Sequence, residues 1–397
     1  MRKGIKMEKK RLYFLDNLKV FLTCLVIVHH VGQAYGPTGG FWQYKSSLGE
    51  SAAWLGSFFP VNASFFMGLF FMISGYFMPM SFDHKDTKTF LKDKFVRLGI
   101  PILIMFFVFE PGMMYFHYSL YSGNEVRSFF DYLIHIYFGI GGMPEDFIVG
   151  ASWPEMNFGP AWYIEQLLVY SCIYAGARKL LNFKLKDEEK PFNLKMIVLV
   201  CLVVMISSAI TRIWYPIDKW IGILGFIQSE VAHLPGYIVL FLLGIAAYRK
   251  NYFWSCSNKL GYGILGLGAL MGVIVYLRPL LPESVLTILY RGWDLYEPMM
   301  GVLLAWGIMI LFREQANKTS KLLKGLSGAA YTMYIIHMPV VLAVQYALDR
   351  VNLGSATMKF IVVSILSVVI TFGVSVAINK LIHKVNPHKK VKRAQAI

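Results

Sequence analysis

Charged side chains are scarce in this chain. Only 16% of its 397 residues are Asp, Glu, Lys or Arg, against roughly 25% in an ordinary soluble domain, while 56% are hydrophobic. A chain with so few charges and so many apolar side chains does not fit a water-soluble class and fits a polytopic membrane protein. Cysteine is rarer still. Cys24, Cys172, Cys201 and Cys256 are the only four, and no two form a C-x-x-C pair, which argues against a disulfide framework or a thiolate metal site. No P-loop, G-x-G-x-x-G, H-E-x-x-H or G-x-S-x-G element occurs, so nucleotide hydrolysis, zinc-protease and esterase-elbow chemistry have no support in the sequence. The run GYGILGLGAL at 261–270 reads as a small-residue packing stripe rather than a phosphate loop. Internal repeats are also lacking, and no polar stretch is longer than a loop.

What the chain has instead is ten apolar segments long enough to cross a bilayer as helices. They fall at 16–35, 57–80, 98–118, 160–178, 195–214, 232–249, 260–278, 292–312, 328–348 and 358–383. The piece 129–140 is apolar but short, and reads as interfacial or re-entrant. The net charge of +16 would suit nucleic acid, but its distribution does not. The N-terminus, alternate loops and C-terminus together hold 29 Lys and Arg, and the opposite loops 8. Cations accumulate on the cytoplasmic side of membrane proteins, so both termini are expected there. The fold expectation is an all-α polytopic membrane protein. It has a basic N-terminus (1–15), a transmembrane domain (16–383) and a basic tail (384–397) suited to anionic lipid. The start MRKGIKMEKKR resembles a signal peptide. Asp16, Lys19 and two histidines interrupt the run that follows, which favours a retained helix. Outside, the loop 119–159 carries Glu125, Asp131, Glu145, Asp146 and Glu155 against one Arg127; it either binds a polar acceptor or caps the bundle.

The first apolar segment, LDNLKVFLTCLVIVHHVGQAY, holds Lys19 near its start and His29 and His30 deep inside. Ionisable groups in a bilayer core are costly and mark functional sites. Lys19 and His30 are 11 residues apart, about 1100° of helix, so they share a face about 16 Å apart along the axis. His29 is turned about 100° from His30 and reads as a packing residue. The positive-inside assignment puts Lys19 at the cytoplasmic side and His30 toward mid-depth.

This opening, RLYFLDNLKVFLTCLVIVHH, resembles the first helix of the acyltransferase family 3 membrane enzymes, in which an Arg, ten residues and a His follow an L-D-x-L element. Lys19 stands in the Arg place and His30 in the His place. FFMGLFFMISGYFMP resembles that family's F-F-x-x-S-G-[FY] element, with Ser74, Gly75 and Tyr76. FLKDKFVRLGIP is similar to its K-x-x-R-[IL]-x-x-P element, with Lys94, Arg97 and Pro101. GPAWYIEQLLVY resembles the element carrying Trp162 and Glu165. HLPGYIVLFLLGIAAYRK is similar to F-F-L-x-G-[IV], and LSGAAYTMYIIHMPVV to S-x-x-x-Y-x-x-Y-x-x-H-x-P, with His337 and Pro339. These elements run in order along nearly the whole chain, which within the family looks most like the glucan-biosynthesis protein C branch.

The resemblance implies an acyl-coenzyme A donor, most often acetyl-CoA, and a carbohydrate or cell-envelope glycan hydroxyl as acceptor. It implies His30 as the base, with Glu165 orienting a histidine or contacting the acceptor. Lys19, Lys94 and Arg97 would serve the donor phosphates, and Ser74, Tyr76 and Trp162 would contact substrate. No permanently bound cofactor, metal or nucleic acid is expected. Independently of the family, transfer to an alcohol needs a base beside the attacking oxygen, and histidine suits that task near neutral pH. The Lys-for-Arg exchange replaces a bidentate phosphate fork by a point charge. Each residue also has a plainer reading. Lys19 can pair with Asp16, Arg97 can be a basic flank, and Ser74 and Gly75 can be helix-packing residues. Glu110 lies beside Pro111 and Gly112, where the helix can break around water. Asp294 and Glu297, near Trp293 and Tyr296, resemble a carbohydrate site but also an interfacial aromatic belt, while His233 and His337 read as structural. A transporter would also bury ionisable residues, yet predicts internal repeats and broken helices in matching halves. A sensor or scaffold would make the buried polar residues dispensable.

Overall fold

The computed structural model describes residues 11–37, 42–123, 125–142, 158–180 and 187–385. Among the described residues, ten long helices account for the ten apolar segments. They are α1 (Tyr13–Gly32), α2 (Leu55–Phe82), α3 (Thr87–Tyr121), α4 (Trp162–Leu180) and α5 (Leu194–Arg212). The others are α6 (Leu234–Lys250), α7 (Asn258–Tyr276), α8 (Trp293–Gln315), α9 (Lys321–Ala347) and α10 (Ala356–Val385). Eight are long and apolar enough on those grounds alone to span a bilayer. The other two are α4, with Glu165, Arg178 and Lys179, and α6, with 17 residues. An even number of crossings puts the start of α1 and the end of α10 on one face.

Four of the five helix starts on that face are capped by a side chain. Asp86, Asn193, Ser257 and Ser320 each accept a backbone N–H three residues on, at the heads of α3, α5, α7 and α9. Such caps satisfy N–H groups that the helix itself leaves unpaired. Below them, Asp83 binds both Arg178 and Arg249, and Arg249 also reaches Asp187, which ties α2, α4 and α6 together.

The centre of the bundle is α2 and α8, each 67% buried over its most apolar stretch, against 28% for α5 and α10 and 33% for α7. The peripheral helices turn Leu, Ile and Val outward, as lipid contact allows. The tightest crossing is α2 on α6. A Cβ at Gly75 would collide with the Phe241 carbonyl, and one at Gly244 with that of Met72. Close backbone approach through small residues is how helices pack without a hydrophobic drive between them.

α3 is not a plain α-helix. Phe95–Gly99 and Met105–Phe109 are π-helical, a widening that often marks functional helices. The apolar piece after it forms one short helix over Phe129–Tyr132, continuing as π-helix over Leu133–Tyr137. Tyr132, Ile136 and Tyr137 are buried in it, and the Tyr137 hydroxyl donates to the Phe106 carbonyl at 2.8 Å. It packs against α3 and does not span. The outer link between α5 and α6 contains an antiparallel hairpin, β1 (Trp220–Ile223) and β2 (Ile227–Glu230), with Trp220 opposite Glu230; the apolar pattern had not signalled it. Glu145, Asp146 and Glu155 of the acidic outer loop and residues 386–397 of the basic tail lie outside the described residues.

Candidate active site

His30 lies in the last turn of α1, close to the outer end of the helix rather than midway along it. The stretch after α1 folds back over it. Ser47 N–H donates to Asp349 at 3.1 Å, Ala52 N–H to the Tyr35 carbonyl at 2.8 Å, and Ala356 N–H to Glu50 at 2.7 Å. These bonds pin the covering stretch to the ends of α9 and α10. Trp42 is held in it by its indole N–H, which donates to Gln345 Oε1 at 2.8 Å. Gln345 in turn donates to the Val31 carbonyl at 3.1 Å. The Trp42 ring stacks on His30, with centroids 5.3 Å apart and planes 17° apart.

On its other side His30 meets His337 of α9, with centroids 5.2 Å apart. The hydrogen bonds define which nitrogen of each ring is spent. His337 Nδ1 lies 2.6 Å from the Tyr334 carbonyl, which can only accept, so Nδ1 carries the proton. Its Nε2 therefore keeps a lone pair; it is buried and has no hydrogen-bond partner among the described residues. His30 Nδ1 donates to Gln33 Oε1 at 2.6 Å, which leaves its Nε2 with a lone pair as well. Two imidazoles, the His337 ring buried and the His30 ring half-buried, thus lie side by side with their planes 31° apart, each oriented through Nδ1 and each with a basic nitrogen to spare. His29 points elsewhere. Asn62 donates to its Nδ1 at 2.9 Å, and Phe58, Phe59 and Phe66 surround its ring. The sequence reading of His29 as a packing residue matches this.

Tyr331, Tyr334 and His337 fall at three-residue intervals on α9 and so share a face. The Tyr331 hydroxyl donates to the Arg97 carbonyl at 2.6 Å, and the Arg97 guanidinium lies 5.5 Å from the Tyr331 ring centre. The Tyr334 hydroxyl donates to the Pro160 carbonyl at 2.5 Å, and its ring contacts Tyr163. Tyr163 shares a hydrogen bond with Ser74 at 2.7 Å. Lys19 pairs with Asp16 at 3.1 Å, sits 5.1 Å above the Phe77 ring and lies close enough to Arg97 for the two charges to interact. From Tyr331 to His337 the rise is about 9 Å, so one face of α9 joins the cationic end to the histidines. The structure therefore links Lys19, Arg97, Ser74 and His30 through residues of α9.

Other residues singled out from the sequence sit apart. Tyr76 stacks on Phe253 at 4.7 Å and belongs to the packing between α2 and the α6–α7 link. Lys94 lies over the Phe90 ring. Trp162 packs on Tyr237 and Trp220. Glu165 accepts the Gln228 N–H at 3.1 Å, so it faces β2 rather than a histidine. Glu297 does not form an open carbohydrate site: it is buried, 2.5 Å from Arg212 and 3.5 Å from His233. Glu110 follows the second π segment. It is 1% exposed, its carboxylate abuts Gly159, and neither oxygen has a hydrogen-bond partner among the described residues. No group of three His, Cys, Asp or Glu placed to hold a metal occurs among the described residues.

Reading the sequence left out Gln33, Trp42, Gln345, Tyr331 and Tyr334 and took His337 as structural. The late S-x-x-x-Y-x-x-Y-x-x-H-x-P pattern was the available signal for the two tyrosines and His337. The others carried none.

The acyltransferase 3 family model, described as an acyltransferase domain, matches residues 12–380. Glucans biosynthesis protein C of Escherichia coli strain K12 is 24% identical over 363 residues, covering 84% of this chain and 83% of the relative. The protein of that name from Shigella dysenteriae serotype 1 is 24% identical over 350 residues, with the same coverage. No solved structure matches.

Proposed function

This chain belongs to the acyltransferase 3 family, and we propose that it moves an acyl group, most simply acetyl, from an acyl-coenzyme A to a hydroxyl of a glycan. The observation that carries the proposal is the pair His30–His337, whose Nδ1 atoms are both engaged and whose Nε2 atoms both keep a lone pair. In the proposed reaction His30 Nε2 takes the proton as the acceptor oxygen attacks the thioester carbon. The C–S bond breaks, the proton passes to the departing thiolate, and an ester and free coenzyme A result. A base oriented through its second nitrogen is the usual way to activate so weak a nucleophile. His337 offers a second lone pair to the same hydroxyl, and Trp42 provides a flat apolar wall of the kind a sugar ring packs against.

The donor enters from the cytoplasmic side, where Lys19 and Arg97 are cationic and Tyr331 links them to the histidine chamber. Lys19 is already paired with Asp16, so phosphate binding would draw on a shared ammonium. Arg97 carries the planar fork suited to phosphate. The glycan acceptor is suggested by the name that the relatives carry, glucans biosynthesis protein C, and by the chamber's place at the outer end of α1.

The test is mass spectrometry of surface glycans from cells carrying the intact chain, His30→Ala, or no copy. Acyl substituents should be present in the first and absent from the other two. Unchanged glycan acylation without the chain would overturn the glycan acceptor, and wild-type acylation by His30→Ala would overturn the base.

A further inference from the structure

α5 and α7 both pack on α8 and leave between them a trough of about 660 Å³. Its walls are apolar: Ile197, Cys201 and Met205 on one side, Ile264 and Leu267 on the other, and Leu303 at the floor. A volume of this size is typical of a site for one small ligand. Its length sets the ligand further. The lining runs from Leu194 to Met205 on α5 and from Ser257 to Leu267 at α7, about 15 to 16 Å of helix rise. That is half of a hydrocarbon core of about 30 Å. The open end lies at the heads of α5 and α7, on the side where cations accumulate. A helix of a partner protein would need the full thickness of the membrane, and the trough stops midway.

Lys259 lies at the mouth, and Lys195 is next to Leu194 of the rim; both are exposed, and neither is ion-paired among the described residues. An apolar slot one leaflet deep with two free ammonium groups at its rim matches a chain of two to three turns' depth joined to an anion. We propose that the trough holds one acyl chain of an anionic phospholipid of the cytoplasmic leaflet, with its phosphate between Lys195 and Lys259. Lysines near such a headgroup strengthen binding by about five-fold each.

Gly263 lines the trough, and a Cβ there meets nothing within 4 Å. Gly263→Leu would carry a branched side chain into the slot from a position where its Cβ meets no neighbour. Gly266 has equally open surroundings but does not line the trough, which makes Gly266→Leu the matched control. The experiment is native mass spectrometry of the purified full-length chain in detergent, titrated with phosphatidylglycerol or phosphatidylcholine. One phosphatidylglycerol should persist on the wild type and on Gly266→Leu, in preference to phosphatidylcholine, and be lost from Gly263→Leu. The surface variant Lys195→Gln/Lys259→Gln, which leaves the packing intact, should weaken phosphatidylglycerol binding by more than ten-fold and leave phosphatidylcholine unchanged. The proposal is overturned if the double lysine variant keeps the wild-type preference. It is equally overturned if folded Gly263→Leu retains the lipid, or if a second copy of the chain occupies the trough.

Discussion

Two histidine clusters in this bundle differ in how their polar atoms are used. In one, His233 lies between Glu230 at 3.0 Å and Glu297 at 3.5 Å, Arg212 bonds Glu297 at 2.5 Å, and Glu230 also accepts the Asp218 N–H at 2.9 Å. Every charge there faces an opposite charge. In the other, His30 and His337 lie side by side, neither ring has an acidic side chain in ion-pair contact among the described residues, and each keeps an unspent basic nitrogen. Balanced charges buried in a bundle hold helices in register at a desolvation cost that only their partners offset. An oriented but unspent nitrogen contributes little to that register and is available to a substrate. The first cluster has the make-up of a structural joint between α5, β2, α6 and α8, and the second that of a reaction site.

The comparison can be broken by substitution. His30→Ala should lower acyl transfer by about 100- to 10,000-fold, the range for a lost general base, while thermal unfolding in detergent stays near wild type. A large drop in melting temperature with transfer retained would reverse the two assignments. Glu297→Ala should do the opposite. It removes the buried carboxylate that faces both Arg212 and His233 and leaves Arg212 only the half-exposed Asp294 as a counter-charge; losing one partner of a buried pair costs about 3–5 kcal/mol, read as a lower unfolding midpoint. Arg212→Met with Glu297→Met together should cost less than the single change.

At the donor end the expected effect is smaller. Lys19→Ala should raise the apparent KM for the acyl donor roughly ten-fold with kcat little changed, and Lys19→Arg should restore it. An unchanged KM would separate Lys19 from the site. The smallest effect concerns acid. Burial alone would raise the Glu230 carboxyl, but the facing His233 and the Asp218 N–H outweigh it and hold it below its ordinary value of 4.5. A depressed carboxyl stabilises the fold above that ordinary value and loses its contribution as pH falls through the folded value. Melting temperature should therefore decline below about pH 4.5, and the decline should be shallower in Glu230→Gln. Equal slopes would remove Glu230 from the joint.

The helices were legible because eight of the ten are runs of apolar residues long enough to cross the membrane, and that property is local. Lys19 and His30 were legible for a related reason: polar residues inside such a run stand out. The partners that orient the chamber were not. Trp42 meets Gln345 across 303 positions of sequence, and neither residue is unusual in its own neighbourhood. Glu165 and Tyr76 are motif residues whose contacts are set by the hairpin and by Phe253, which hydropathy does not reveal. Glu297 read as part of an aromatic and acidic surface because Arg212, 85 residues away, gave no sign that it would meet it.

The two π-helical stretches of α3 have a mechanical consequence. Each absorbs more residues per turn than the helix around it, so α3 works as three rods joined out of phase. The rod before the first stretch is aligned with the capped helix heads, the stretch itself presents Arg97 to Tyr331, and the rod after the second presents Glu110 to Gly159. Removing one residue from Phe95–Gly99 would let that stretch relax to an ordinary helical turn and leave everything beyond it nearly in place, whereas a one-residue deletion in the regular helix would turn everything beyond it by about 100°. Arg97 and Glu110 are thus aimed separately along a single helix, and α3 tolerates the loss of a residue inside a π stretch better than the loss of one between them.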